Sequence, residues 1–307
     1  MSDVGADRAP VAARTRPTTD RGLLRFIRRR PLSAFFLWFF TVGQALAFTP
    51  VIAVANGVDM PRQPFIIAST LVGLLLPALV ITRVVDGPRA LHDLLKRAID
   101  MRVSIGWYLL ATLGIIFTAV LIAFVLLGRP DDLSTGTVVS ALMSGLLLAL
   151  VLNLLPNNLW EEVAWMGFVQ ARLQVRHGAA LAALISAPLF ALQHVSLVAG
   201  ESLVNGAVVI TLLAVLAIPF RFLTGWLYNR TGSLFVVGLL HATGNAVAGG
   251  SGFQGGFLAR LYPGEQVATL AHLLAFFLIG STVVIATRGR LGQRQTDGLV
   301  ARRVASA

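Results

Sequence analysis

The chain has 307 residues, of which 56% are hydrophobic and 13% are charged, and its mean hydropathy is +0.78. About a quarter of the residues of a soluble domain are charged, so this composition excludes both an ordinary soluble protein and a disordered one. The sequence contains no cysteine, which excludes disulfides, thiolate nucleophiles and cysteine-ligated zinc. We therefore expect a membrane protein without cysteine chemistry.

Eight long segments of the sequence contain no Asp, Glu, Lys or Arg. They are 31–58, 63–82, 103–128, 133–160, 177–200, 202–220, 231–259 and 266–287. A helix needs about 20 apolar residues to cross roughly 30 Å of hydrocarbon, and each segment is close to that length or longer. The sequence therefore predicts an all-α, polytopic integral membrane protein with about eight transmembrane helices.

The net charge of +11 comes from basic residues that are distributed unevenly between the two sides of these segments. If the N-terminus is cytoplasmic, 22 of the 25 basic residues fall in cytoplasmic segments, including Arg221 and Arg230 in the sixth connection. Only Arg62, Arg129 and Arg260 fall outside. This positive-inside distribution predicts a multi-pass protein of the plasma membrane with both termini in the cytoplasm. The basic tails are expected to contact anionic lipid of the bilayer and no nucleic acid.

All but one of the basic residues are Arg, which is typical of a GC-rich bacterial genome.

Composition divides the chain into three parts. Residues 1–30 and 288–307 are polar, basic tails that are predicted to be disordered, and residues 31–287 form one helical transmembrane domain. Within this domain, the connection 86–102 alternates apolar and charged residues with a helical period, which predicts an interfacial amphipathic helix. The glycine-rich segment 249–256 predicts an outer loop, either mobile or covering a site.

Five residues that could carry chemistry lie within the apolar segments or directly after one, where hydrocarbon makes polar groups costly. They are Glu161, Glu162, His194, His241 and Asn245. An ionisable group there costs on the order of 2.5–3.5 kcal/mol on insertion scales, so these residues are candidates for function. His241 and Asn245 are four residues apart and share one helical face. At about 1.5 Å per residue, both His and the Glu pair fall near the middle of the bilayer, so they could form one cluster.

The chemistry of this set leaves several alternatives open. Glu161 could act as a general base that activates water beside two imidazoles. His194 and His241, with a carboxylate, could instead hold a divalent metal such as zinc. Buried Glu and His also form proton relays, so proton-coupled transport is another possible function. Each residue taken alone could be a structural hydrogen-bonding group.

The same residues form three motifs in a fixed order. The first opens with Glu161-Glu162, the second is Phe190-x-x-x-His194, and the third is His241-x-x-x-Asn245. With these motifs the sequence resembles the CPBP family of intramembrane proteases, related to type II CAAX prenyl endopeptidases and to abortive-infection proteins. The resemblance covers roughly residues 130–250. One position differs, because Met166 stands where the family motif Glu-Glu-x-x-x-Arg has Arg.

The resemblance implies an intramembrane endopeptidase in which Glu161 deprotonates water and Glu162 supports it. It implies that His194, His241 and Asn245 orient the water, stabilise the oxyanion or bind a metal. The substrate would be a peptide or a membrane-protein segment. The alternative is a non-catalytic membrane partner, or an immunity-type protein, that retains the fold.

The loss of the family Arg at Met166 leaves the charge of the glutamate pair to be balanced in another way. Either Glu162 has a different donor, or the activity or substrate preference has changed. In an active protease, a divalent metal held by His194 and His241 would balance the charge best, so we expect this protein to depend on metal more than family members that keep the Arg.

The charge distribution generates a topology prediction. Reporter fusions after residues 60, 131 and 260 are expected to lie outside the cell, and fusions after residues 95 and 295 in the cytoplasm. A C-terminal fusion that reports an outside location would contradict the predicted even number of crossings.

Overall fold

The computed structural model describes residues 18–248 and 256–293, which form helices joined by short turns. This confirms the all-α class. The helices are α1 (Thr18–Arg29), α2 (Pro31–Ala55), α3 (Arg62–Val85), α4 (Pro88–Ile99), α5 (Ile105–Leu127), α6 (Thr135–His177), α7 (Ala179–Leu192), α8 (Leu203–Thr231), α9 (Leu234–Ala248), α10 (Phe257–Leu261) and α11 (Gln266–Ala286).

Six helices of the described chain are long and apolar enough to cross a membrane. They are α2, α3, α5, α6, α8, and α7 together with the turn that extends it to Val198. Two further apolar helices are shorter, namely α9 and the Leu270–Ala286 part of α11. The 15 residues of α9 rise only about 22 Å, less than the hydrocarbon thickness. The multi-pass helical class is thus confirmed, whereas the count of eight spans is not.

Helix α6, with 43 residues, is the longest element and carries the glutamate pair. The sequence leaves open whether Pro156 kinks one long helix or separates two, and the structure has one continuous helix. Pro156 lies in a wide, π-type turn at Leu154–Asn158, and a second such turn follows at Val163–Gln170. A proline lacks the N–H that the regular helical ladder needs, and π-type turns are frequent at functional sites.

The predicted connection at Arg221 is wrong. Helix α8 continues through this residue to Thr231, and the Arg221 side chain is 0% exposed inside the bundle. The sequence analysis places a span end at the first charged residue after 202–220. That placement fails because a charged side chain can stay inside hydrocarbon when an opposite charge is buried beside it.

The tails are more ordered than their composition indicates. Residues 18–29 form α1, whose Ile27 packs against the main hydrophobic core, and Leu291 is fully buried against Ala179 and Ala183. A few apolar residues among the arginines therefore dock these segments against the bundle. Residues 1–17 and 294–307 lie outside the described residues.

The amphipathic helix predicted in the connection 86–102 is confirmed as α4. Its Leu94 and Ala98 are buried, while Lys96 and Arg97 are exposed. The buried residues pack against Met166 and Leu234, and so they join α4 to α6 and α9. Of the predicted glycine-rich loop, residues 249–255 lie outside the described residues.

Several helix ends meet at one polar face of the bundle. Arg172 pairs with Asp86, Gln174 Nε2 donates to Asn229 Oδ1 at 2.9 Å, and Asn229 Nδ2 donates to the Leu291 carbonyl at 2.9 Å. Helix α1 packs against the last part of α3, beside the same face. The ends of α3, α6 and α8 and the segment around Leu291 therefore lie close together at this face.

Two glycines allow the helices that surround α6 to pack closely. A Cβ atom at Gly238 of α9 would lie 2.9 Å from the Leu159 Cα of α6. A Cβ atom at Gly280 of α11 would lie 2.0 Å from the Pro219 carbonyl oxygen of α8. These contacts bring α9 against α6 two residues before Glu161, and α11 against α8 two residues before Arg221.

The close contact at Gly280 generates a stability prediction. Gly280→Ala forces α11 away from the α8 backbone, and such overpacking costs about 1–3 kcal/mol, or roughly 2–10 °C in Tm for a chain of this size. Gly106→Ala is the matched control, because a Cβ atom there has nothing within 4 Å, and it should not lower Tm. Equal Tm values for the two variants in thermal unfolding would contradict the close packing.

Candidate active site

The adjacent acids Glu161 and Glu162 are 4% and 0% exposed, although both carry a carboxylate. They lie in a regular helical turn, Leu159–Glu162, between the two wide turns of α6. Consecutive residues of a helix point about 100° apart, because a turn contains 3.6 residues. The two carboxylates therefore have different neighbours.

Glu162 is bound by side chains from two other helices. Arg221 Nη1 of α8 donates to its Oε1 at 3.3 Å and to its Oε2 at 3.1 Å. His241 Nδ1 of α9 lies 3.0 Å from Oε1. An ionised carboxylate only accepts hydrogen bonds, so His241 carries its proton on Nδ1 and keeps Nε2 for another partner. Glu162 thus joins α6, α8 and α9.

Glu161 is bound by neutral amides. Gln193 Nε2 donates to its Oε1 at 2.7 Å, and Asn157 Nδ2 donates to the same oxygen at 3.2 Å. Its Oε2 accepts a longer bond of 3.4 Å from Asn158 Nδ2 and lies 3.8 Å from His241 Nδ1. The carboxylate is therefore oriented mainly through Oε1, and Oε2 is the less engaged oxygen.

A second layer of hydrogen bonds fixes these amides. Trp165 Nε1 donates to Gln193 Oε1 at 2.5 Å, and Gln44 Nε2 donates to the Gln193 carbonyl at 3.1 Å. Thr70 Oγ1 donates to Asn157 Oδ1 at 2.5 Å. Helices α2 and α3 therefore help to hold Glu161 through the residues that touch it.

His194 lies close to the glutamate pair without a hydrogen bond to it among the described residues. Its Nδ1 is 3.1 Å from the Phe190 carbonyl oxygen, which can only accept, so Nδ1 carries the proton here too. The centroid of the Phe190 ring is 5.1 Å from the His194 ring and 5.8 Å from the His241 ring. Both imidazoles thus share one aromatic neighbour, and Glu161 is close enough to act electrostatically on His194.

Asn245 joins the cluster indirectly. Its Nδ2 donates to Asn158 Oδ1 at 3.1 Å, and Asn158 in turn donates to Glu161. The structure therefore brings all five predicted residues into one region. Glu161, Glu162 and His241 are in close contact, whereas His194 and Asn245 lie around them.

Arg221, which the charge pattern predicts in a connection between spans, belongs to this site. It is fully buried, its guanidinium carbon is 5.5 Å from the Phe190 ring centroid and 5.9 Å from that of Phe220, and it balances the charge of Glu162. Met166, at the family Arg position, is buried among Leu94, Val163 and Leu234 and has no side-chain donor.

Residues 141–247 match the family model described as Type II CAAX prenyl endopeptidase Rce1-like. The chain contains an Rce1-like domain. The matched range begins in α6 before Glu161 and ends in α9 after Asn245, so it includes the three motifs. This confirms the resemblance that the motifs indicate. A comparison with curated proteins found no match.

The Rce1-like domain contains site residues that the motifs do not include. Gln193, Asn157 and Asn158 contact Glu161, and Arg221 contacts Glu162. The signal for the three amides is present in the sequence, since each is a polar residue within an apolar segment next to a motif. No comparable local signal marks Arg221, because its partner is 59 residues away along the chain.

The described residues of the Rce1-like domain show no metal site, because no three His, Cys, Asp or Glu side chains there are grouped so that they could hold a metal ion. A catalytic zinc has three protein ligands, so His194 and His241 would need a carboxylate beside them. The charge argument for a metal is also removed, because Arg221 already supplies a cation to Glu162.

Proposed function

We propose that this protein is an intramembrane endopeptidase in which Glu161 activates water for attack on a peptide bond. The observation that carries the proposal is the contact of the buried acid pair of α6 with His241 of α9. A carboxylate beside an imidazole in a site of low exposure can move a proton during hydrolysis. The Rce1-like domain supports a CAAX protease-like enzyme in particular.

The neighbours of the two acids support different roles for them. Both oxygens of Glu162 accept from Arg221, and one also contacts His241, so this carboxylate has little capacity for water. Within the described part of the chain, Glu161 Oε2 has only one hydrogen bond, and that bond is long. A general base must lie within hydrogen-bond distance of the group whose proton it takes, about 2.6–3.2 Å between heavy atoms, so we assign the base to the less engaged oxygen, Glu161 Oε2.

In the proposed reaction the water oxygen attacks the carbonyl carbon of the scissile bond while its proton passes to Glu161. The carbonyl π bond breaks, and the oxygen becomes an oxyanion. Asn245 can donate to it, because an amide nitrogen has two N–H groups and only one is used on Asn158. The tetrahedral intermediate then breaks its C–N bond, and Glu161 returns the proton to the leaving nitrogen.

The depth of the site supports a substrate that enters the membrane. Glu161 precedes Arg172 of the polar face by eleven residues, which corresponds to about 16 Å along α6. A peptide bond must therefore reach the apolar part of the bundle to be cut. We infer that the substrate is a peptide or a membrane-protein segment, cut within the plasma membrane of a bacterial cell and reached from the cytoplasmic side.

Replacement of Glu161 tests this function directly. Glu161→Gln keeps the shape of the side chain and removes the base, so turnover should fall by about 10²–10⁴-fold while the fold is retained. The measurement is cleavage of a broad peptide library by the purified protein in lipid vesicles, followed by mass spectrometry. Glu265→Gln, at an exposed glutamate, is the matched control and should leave turnover unchanged.

Two further outcomes of the same assay separate the alternatives. Unchanged turnover in Glu161→Gln would eliminate this residue as the base. Turnover that is lost on chelation and restored by zinc would favour a metal held by His194 and His241. A wild-type protein that cuts no peptide of the library would favour the non-catalytic membrane partner.

A further inference from the structure

Arg221 provides the one ion pair from an Arg or Lys to the acid pair among the described residues. Its side chain and that of Glu162 are both 0% exposed, so water does not share in balancing the charge. The buried carboxylate therefore depends on this guanidinium and on His241.

The cation comes from α8, although position 166 of α6 is also near Glu162. Residue 166 follows Glu162 by four residues, within the wide turn Val163–Gln170, and side chains of a helix tilt towards its N-terminus. A long side chain at position 166 would therefore extend back towards the Glu162 carboxylate. Met166 packs instead against Leu94 and Leu234, where it contributes apolar contact and no hydrogen-bond donor.

We propose that Arg221 is a positioning residue that holds Glu162 and, through Glu162, also His241. In this role Arg221 of α8 replaces a cation at position 166 of α6. Glu162 Oε1 accepts from both Arg221 Nη1 and His241 Nδ1, so the guanidinium fixes the oxygen that orients the imidazole. This inference rests on the contacts within the site and not on the proposed cleavage.

The proposal implies that the cation can be moved between helices. Loss of one member of a buried ion pair is strongly destabilising, because an uncompensated charge stays in the core. The double variant Arg221→Met/Met166→Arg exchanges the same two side chains between α8 and α6. It conserves total side-chain volume and net charge, and it restores a cation within reach of Glu162.

Thermal unfolding of the purified full chain tests the exchange. Arg221→Met should lower the apparent Tm by roughly 10 °C, and the double variant should recover at least half of the loss. Arg172→Met is the matched control, because its pair with Asp86 is partly exposed and such pairs contribute little. Arg221→Lys, which keeps the charge without the planar fork, should lie between wild type and Arg221→Met.

The result that would overturn the proposal is a double variant no more stable than Arg221→Met, or an Arg221→Met variant no less stable than Arg172→Met. If Arg221→Met does not accumulate in the membrane, the double variant is still expected to do so. Its failure to accumulate would also overturn the proposal.

Kinetics separate positioning from mere stabilisation. Where the wild type cleaves peptide, Arg221→Met should lower kcat more than it changes KM, and the double variant should recover kcat. Recovery of Tm without recovery of kcat would overturn the positioning role. If the wild type cleaves nothing, the proposed function fails, whereas the Tm comparison still decides whether Arg221 and position 166 are interchangeable.

Discussion

The buried ion pair between Glu162 and Arg221 is the constraint on which the rest of the site depends. A carboxylate enclosed in an apolar bundle is very costly unless it is paired and hydrogen-bonded. Glu162 meets this requirement only because α8 passes beside α6 without interruption and brings Arg221 to it. That path in turn depends on Gly280, which lets α11 touch the α8 backbone at Pro219. The ion pair, the helix packing and the orientation of His241 are therefore one arrangement.

The two acids of α6 are adjacent in sequence but have chemically different surroundings. Glu162 is held by a guanidinium and an imidazole, whereas Glu161 is held by amides from Asn157, Asn158 and Gln193. Neighbouring titratable groups with different environments commonly have different chemical roles in a site. Here the division is between an acid that organises the helices and an acid that keeps one oxygen available.

The sequence predicts the helical class and five site residues because polar groups are rare in hydrocarbon and therefore stand out. It does not predict Arg221, since the same reasoning treats a charged residue as the end of a span. The ion pair between α6 and α8 removes the free-energy cost of burying the charge of Arg221. No local sequence pattern predicts this ion pair, because its two residues are far apart in the chain. The same reasoning leads to the expectation of a metal, because it does not identify Arg221 as the cation beside Glu162. Composition does not predict α1, because its few apolar residues, among them Ile27, are outnumbered by charged and polar ones.

The central claim is that Glu162 and Arg221 act as a pair. A double-mutant cycle of Glu162→Gln and Arg221→Met, measured by the free energy of unfolding in mixed micelles, tests it most directly. We predict a coupling free energy of about 2 kcal/mol or more, because either single variant leaves a buried charge alone while the double variant leaves none. Losses that add to within roughly 0.5 kcal/mol would show that the two residues do not depend on each other, and they would contradict the account.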